Sequence, residues 1–262
     1  MAVSTSGAGI KVVYTDLDGT MVGPRGCFFR DHTGATTLEP AQALIDLLDA
    51  GIAVVMVSGR SRAQLMEAAG ILGADGFIAE LGGIVAWRDD TARFTSQLLP
   101  TAGPPAGPEL VALLTSTFDL ALYEPWAEGH EVDVLLRGWA DIGTVDAWLA
   151  EQGAPHLRLR DNGLLPRGLG HAWHLIPDGV SKGAAVAWDL RRRGLTSEQA
   201  IAVGDSSEDL RMAAHVSRFF LTANALQHPN LPPLATNVVV TQRPLGLGWA
   251  EAARAALTGD AD

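Results

Sequence analysis

One cysteine, Cys27, is all the chain has, which excludes an internal disulfide and a cysteine-built zinc site and suits a reducing compartment. Long apolar runs are missing too: no uninterrupted stretch approaches the ~20 residues that a membrane span needs. The N-terminal segment has no basic region followed by an apolar one, so no signal peptide is expected. These absences point to a cytoplasmic protein with no membrane partner. Basic residues are scarce, 19 Lys and Arg against 30 Asp and Glu, for a net charge of −11. That argues against nucleic acid or an anionic membrane surface as the main partner. Phosphate esters stay open as ligands, provided a local positive site or a metal receives them. The one basic run, Arg191-Arg192-Arg193, precedes Gly194 at an expected helix end, where cations complement the helix dipole.

What is present is an apolar fraction of 47% over 262 residues, ample for one large domain or two smaller ones. Ile10 to Tyr14 reads as a strand buried on both faces. Asp16, Asp18 and Gly19 follow it directly. Side chains two apart on an extended segment share a side, so both carboxylates can face one point beyond the strand's end. Two like charges there call for a cation or a proton. After a Gly-rich loop to Thr37, Pro40 opens a helix with Leu44, Leu47 and Leu48 on one face and Gly51 as its stop. Ile52 to Val57 is a second buried strand, ending in Ser58-Gly59-Arg60. Ser61 and Gln64 have capping-box spacing for a helix that buries Leu65, Met66, Ala69 and Leu72. Phe77 to Ala79 is a third strand. This alternation predicts an α/β fold with a parallel, Rossmann-like sheet.

From residue 85 to 176 the rhythm changes to short antiparallel strands, a Pro/Gly loop at 100–108 and two helices, Glu109 to Thr117 and Asp141 to Glu151. The pattern predicts an inserted α+β module, leaving 1–84 and 177–262 as the core. In the returning core, Ser181 caps a helix that runs to Gly194. Ala200 to Val203 is a strand ending in Gly204-Asp205, and a helix starts at Ser206-Ser207-Glu208-Asp209. Two short strands, Phe219 to Leu221 and Val238 to Val240, and an alanine-rich helix from Trp249 complete the chain.

Four places sit where strands end or helices begin. Ser58 with the amides of Gly59 and Arg60 suits a phosphate oxygen, although a serine in such a turn is also ordinary. Lys182 stands one residue past the cap, where the helix dipole disfavours a cation, and so points to an anion. Asp205 follows an apolar strand and a glycine that permits close approach, as a carboxylate for a hard cation would. Asp209, three after Ser206, is open to two readings: a capping box, or a metal ligand or its support.

Taken in order, the DLDGT stretch, the apolar strand with Ser-Gly-Arg, Ser-Lys-Gly at a helix start and GDSSED resemble the haloacid dehalogenase superfamily of phosphatases. The insertion between the second and third motifs is similar to the large αβ cap of one subgroup, which includes the Cof-type sugar phosphatases, sucrose-phosphate phosphatase and mannosyl-phosphoglycerate phosphatase. The resemblance implies that Asp16 is the nucleophile and Asp18 the acid and base. It assigns Mg²⁺ to Asp16, Asp18, Asp205 and Asp209, and phosphate to Ser58, Gly59 and Lys182. It further implies hydrolysis of a small phosphomonoester, a sugar phosphate or a glycosyl-phosphoglycerate-like metabolite, through an aspartyl-phosphate. A sugar phosphomutase using the same aspartyl-phosphate, or a non-catalytic ligand-binding member of the fold, is the alternative. Leu81 stands where the family often has Asn before Gly82, and Glu208 where it often has Asn. Arg60, Arg160, Asn162, His171 and His174 are candidates for substrate contact, with Trp126, His130, Asp161 and Arg167 as further polar or aromatic choices. No carboxylate pattern beside His171 or His174 suggests zinc.

Overall fold

The computed structural model describes residues 9–101, 103–228 and 231–259. Ala102, in the Pro/Gly loop, lies outside them. The described residues form strands and α-helices in the order β1 Val12–Thr15, α1 Glu39–Asp49, β2 Ala53–Val57, α2 Arg62–Leu72, β3 Gly76–Ala79, β4 Ile84–Arg88, β5 Phe94–Leu98, α3 Pro108–Thr117, β6 Leu120–Leu122, β7 Val134–Gly138, α4 Ile142–Glu151, β8 Leu157–Leu164, β9 His171–Pro177, α5 Lys182–Arg193, β10 Ala200–Gly204, β11 Arg218–Leu221, β12 Val238–Val240 and α6 Leu245–Thr258. The chain divides into two compact units, residues 1–56 with 186–262, and residues 57–185.

In the first unit β12, β11, β10, β1 and β2 lie side by side, every pair parallel. β1 sits between β10 and β2, which accounts for its unbroken apolar run: Val12, Val13 and Tyr14 are wholly buried. α6 packs against α1, and its alanines, Ala250, Ala252, Ala253 and Ala256, are buried with Trp249. The arginine run does more than complement a dipole. Arg192 and Arg193 bind the buried carboxylate of Asp189 at 2.8 and 2.6 Å, and the Tyr14 hydroxyl donates to the same group at 2.9 Å.

The second unit holds α2, the antiparallel set β3-β4-β5 and a four-stranded antiparallel sheet ordered β6-β7-β9-β8. One face of that sheet packs on α3 and α4 through Leu136, Leu157, Leu159, Trp173 and Leu175 against Val111, Leu114, Val145 and Leu149. Strand alternation therefore turns Leu135, His174 and Arg160, which are register partners across β7, β9 and β8, to the other face. That face is mixed, with Ala172 and Ile176 buried beside them.

Some expectations need correcting. Met66, assigned to a buried stripe, is 47% exposed; α2 buries a narrower stripe, Leu65-Ala69, and on α1 Leu48 lies at the edge of the face that buries Leu44 and Leu47, 37% exposed. The segment after Ser206 is a 3-10 helix, Asp209–His215, and not an α-helix. No helix among the described residues is long and apolar enough to cross a membrane.

Candidate active site

In the first unit, β1 ends at Thr15 and β10 at Gly204, adjacent parallel strands whose next residues are Asp16 and Asp205. Asp16, Asp205 and Asp209 each place an oxygen within 4.8 Å of the others, and Asp16 and Asp209 are buried. Asp18 is exposed and is not part of this triplet. Two glycines make the approach possible. Gly19, at φ +87°, leaves no room for a Cβ against the Asp205 carboxylate, and Gly204 leaves none against the Asp209 side chain.

Hydrogen bonds fix the rest. Asp209 Oδ2 accepts from the amides of Asp205 and Ser206 at 3.1 and 3.0 Å and from Ser206 Oγ at 2.6 Å, while its own amide donates to Ser206 Oγ at 3.2 Å. It therefore closes a capping arrangement and belongs to the acidic triplet as well. Thr20 Oγ1 donates to Asp205 Oδ1 at 3.3 Å. Asn224 Nδ2, which none of the sequence motifs includes, donates to Asp205 Oδ2 at 3.0 Å and to the Gly19 carbonyl at 2.9 Å. Its signal was faint but present: it stands shortly after the end of β11, as Asp205 stands after β10. Glu208, at one family departure, pairs with Arg211 at 2.7 Å. Three carboxylates with short reach and all-oxygen donors form a set that a hard divalent cation fits, since their mutual repulsion has no other remedy short of protonation.

In the second unit, Ser58, Gly59 and Arg60 form the turn between β2 and the capping box of Ser61 and Gln64. The Arg60 amide donates to Ser58 Oγ at 3.3 Å, and the Ser58 amide to the Ile78 carbonyl at 2.9 Å. A Cβ on Gly59 would lie 2.8 Å from His174 Nε2 and 3.2 Å from Asn162 Nδ2. Two of the weakest sequence candidates thus land on the phosphate-type turn. His171 does not. It lies on the opposite face of β9, bonds Asp161 at 2.8 Å and stacks on Trp173. Arg160 shares the His174 face and reaches Asp178 at 3.7 Å.

Lys182 opens α5 and is 1% exposed. Its neighbour Ser181 presents its carbonyl against Gly82, φ +113°, where any Cβ would collide. The same turn holds Glu80 and Leu81 at φ +51° and +53°, a region unfavourable for side chains other than Asn and Gly. The Leu81 departure therefore carries backbone strain, offset by burial of its side chain, 1% exposed.

Around His174 lies a cluster that no sequence motif marks. Asp133 accepts from Nδ1 of both His130 and His174. Burial opposes its charge, but the two imidazoles hold its pKa down at about 2. Glu80 Oε2 accepts from the amides of Glu131, Val132 and Asp133 at 2.8, 2.6 and 3.3 Å. Burial, then the Asp133 charge, push Glu80 up to about 7. Burial would lower the His130 pKa, and Asp133 more than reverses that. Glu80, His130 and Asp133 also lie within 4.8 Å of one another, but their Nδ1 and Oε2 atoms are already engaged in these bonds. Carboxylates do stand beside both His171 and His174, contrary to expectation, because Asp161 and Asp133 reach them across the sheet. His130 to Asp133, three apart, was the visible clue.

No family model matches the chain. It is 32% identical to a phosphoglycolate phosphatase of Pyrobaculum aerophilum over 96% of this chain and 97% of that one. A phosphoglycolate phosphatase of Methanoculleus marisnigri is 30% identical over 78% of this chain and 80% of that one. Among solved structures, the fold is similar to a Thermoplasma acidophilum protein at TM-score 0.69, with 17% identity, covering 95% of this chain and 99% of that one. It is also similar to a sucrose-phosphatase from Synechocystis in complex with sucrose and phosphate, at TM-score 0.66, with 16% identity, covering 97% of this chain and 100% of that one. With the ordered motifs, the paired strand ends and relatives at this identity and coverage, the chain belongs to the haloacid dehalogenase superfamily and is a phosphoric monoester hydrolase.

Proposed function

We propose that the protein hydrolyses a small phosphomonoester through an aspartyl-phosphate on Asp16, with Mg²⁺ as cofactor. The observation that carries this reading is the convergence of Asp16, Asp205 and Asp209 at the ends of adjacent parallel strands. Asp16, Asp205 and Asp209, with the Asp18 backbone, would hold Mg²⁺, whose chemistry there is to neutralise charge as a carboxylate meets a phosphate dianion. An Asp16 oxygen attacks phosphorus, and the bond from phosphorus to the ester oxygen breaks. Asp18, exposed at the mouth of the loop, gives its proton to the leaving oxygen. It then takes a proton from the water that attacks phosphorus, which frees phosphate and restores Asp16. Ser58, the Gly59 amide and Lys182 are assigned to the other phosphate oxygens. The cap is assigned to residues 85–176 and the location to the cytoplasm.

The names of the curated relatives support phosphoglycolate as the substrate to test first, ahead of the sugar phosphates. The test is phosphate release from a panel of phosphoglycolate, sugar phosphates and nucleotides, with Mg²⁺ and with a chelator. Release that needs the cation and disappears in Asp16→Asn is the expected result. No release from any ester would end the proposal.

A further inference from the structure

On the face of the β6-β7-β9-β8 sheet turned away from its helices, two buried nitrogens stand without hydrogen-bond partners. His174 is 1% exposed and commits Nδ1 to Asp133. Its Nε2 is buried with no hydrogen-bond partner, and it faces Gly59 together with the Asn162 amide. Arg160, the register partner of His174, has a buried Nε that is likewise unpartnered. A buried polar nitrogen without a partner costs about 1–3 kcal/mol, so two such nitrogens on one face call for a partner from outside the chain. Asn162 and Arg160 are donors, and Nε2, a lone pair while the neutral ring gives its one proton to Asp133, becomes a third donor in an imidazolium whose charge Asp133 balances, so the group that satisfies all three at once is an anion.

We propose that His174, seated on Asp133 and flanked by Asn162 and Arg160, is a specificity-determining residue that receives a carboxylate on the leaving group of the phosphoester. The inference rests on the phosphatase reading above, in which Ser58, the Gly59 amide and Lys182 serve the phosphoryl oxygens. That leaves the His174 group for the remainder of the substrate, one side of the same turn. Asp133 takes the Nδ1 proton and orients the ring, and it supplies the counter-charge for an imidazolium whose Nε2 also bears a proton toward the substrate. Glu80 holds the 131–133 segment by its three amide bonds, and so holds Asp133 in place.

Two amide replacements separate the ring's two nitrogens. In H174N the amide nitrogen stands near the place of Nδ1 and can keep the bond to Asp133, while Nε2 is lost. In H174Q the longer amide returns a donor near the place of Nε2. The first readout is the ratio of kcat/KM for phosphoglycolate over ethyl phosphate, which lacks the carboxylate. H174N should lower this ratio about tenfold or more, as for a site deprived of a charged hydrogen bond, and H174Q should lower it less. The second readout needs no turnover: ¹⁵N spectra of the histidine side chains of the wild-type protein with phosphonoacetate or with methylphosphonate. Phosphonoacetate should shift the His174 Nε2 resonance, and methylphosphonate should leave it in place. Equal losses on both esters, an unchanged ratio, or equal shifts with both phosphonates would overturn the proposal. If the wild type released phosphate from no ester, the phosphatase reading would fail, and the spectra would still decide the carboxylate site. Should H174N fail to fold, the same ratio measured for R160Q decides the matter together with the wild-type spectra.

Discussion

Gly19 lies directly against the Asp205 carboxylate, in a left-handed conformation at φ +87° that leaves no space for a side chain. The loop carrying the first two aspartates and the end of β10 meet there with no room to spare. Gly19→Ala must both strain the backbone and displace Asp205. A loss of about 1–3 kcal/mol in unfolding free energy is expected, together with a marked loss of phosphatase turnover. Denaturant unfolding and phosphate release check the two parts. A stable, fully active variant would show that the contact does not position Asp205.

The acidic triplet makes a separate prediction about stability. Two unit charges within 4.8 Å of each other repel by at least about 3 kcal/mol at an effective dielectric of ~20. In a chelator, Asp205→Asn should therefore melt above the wild type, by on the order of 6–12 °C. Added Mg²⁺ should raise the wild-type melting temperature and raise the variant's less. Melting curves in both buffers decide it; a variant that melts lower in chelator would mean that the bonds from Thr20 and Asn224 outweigh the repulsion.

Glu80 should make the protein's stability fall between mildly acidic and neutral pH. Its folded pKa, raised by burial and then by Asp133 from 4.5 to about 7, means that the native state binds more protons than the unfolded one between those values. Stability then falls as pH climbs from about 4.5 to about 7, by up to about 3 kcal/mol. His130, whose pKa is also raised, contributes stability present below its unfolded value and lost as pH rises through its folded one. Asp133 acts at the other end, its share lost as pH falls from 3.8 toward 2. Glu80→Gln keeps an acceptor for the three amides and should flatten the decline between pH 5 and 8. Urea unfolding across that range measures it, and parallel curves for the two proteins would refute it.

Gly59→Ala tests the contact between the turn and the sheet. The backbone there needs no left-handed conformation, so the cost is steric: a Cβ 2.8 Å from the His174 ring. Forced displacement of a packed side chain costs about 1–3 kcal/mol. Because His174 is the obstacle, the double variant Gly59→Ala/His174→Ala should be more stable than the sum of the single changes predicts. A double-variant cycle by thermal or chemical unfolding reads the coupling directly, and strict additivity would place the strain elsewhere.

Sequence and fold divide the work unevenly here. The strands, the breakers and the placing of Asp16, Asp205 and Ser58 at strand ends and of Lys182 at a helix start were legible in the chain, because each depends on local rules. A carboxylate after an apolar strand, a glycine at a sharp turn and a capping box at three-residue spacing announce themselves within a few positions. Met66 was misjudged because helical spacing gives the direction of a side chain and not the breadth of what packs on it. Asn224 escaped notice for a related reason: its partners Gly19 and Asp205 are 205 and 19 residues away.

The four-stranded sheet shows the boundary most clearly. Composition marked Arg160, Asn162, His171 and His174 as equals, and nothing in their order separates them. Strand register put His171 beside Trp173 and Asp161 on one face, and sent His174 to the other, onto Asp133 and the Gly59 turn. A side chain's chemistry and its local backbone are written in neighbouring residues, so the chain alone settled those. Its partners are set by pairing between strands far apart in sequence, where a shift of one residue turns every side chain to the opposite face, and that was settled only when the strands came together.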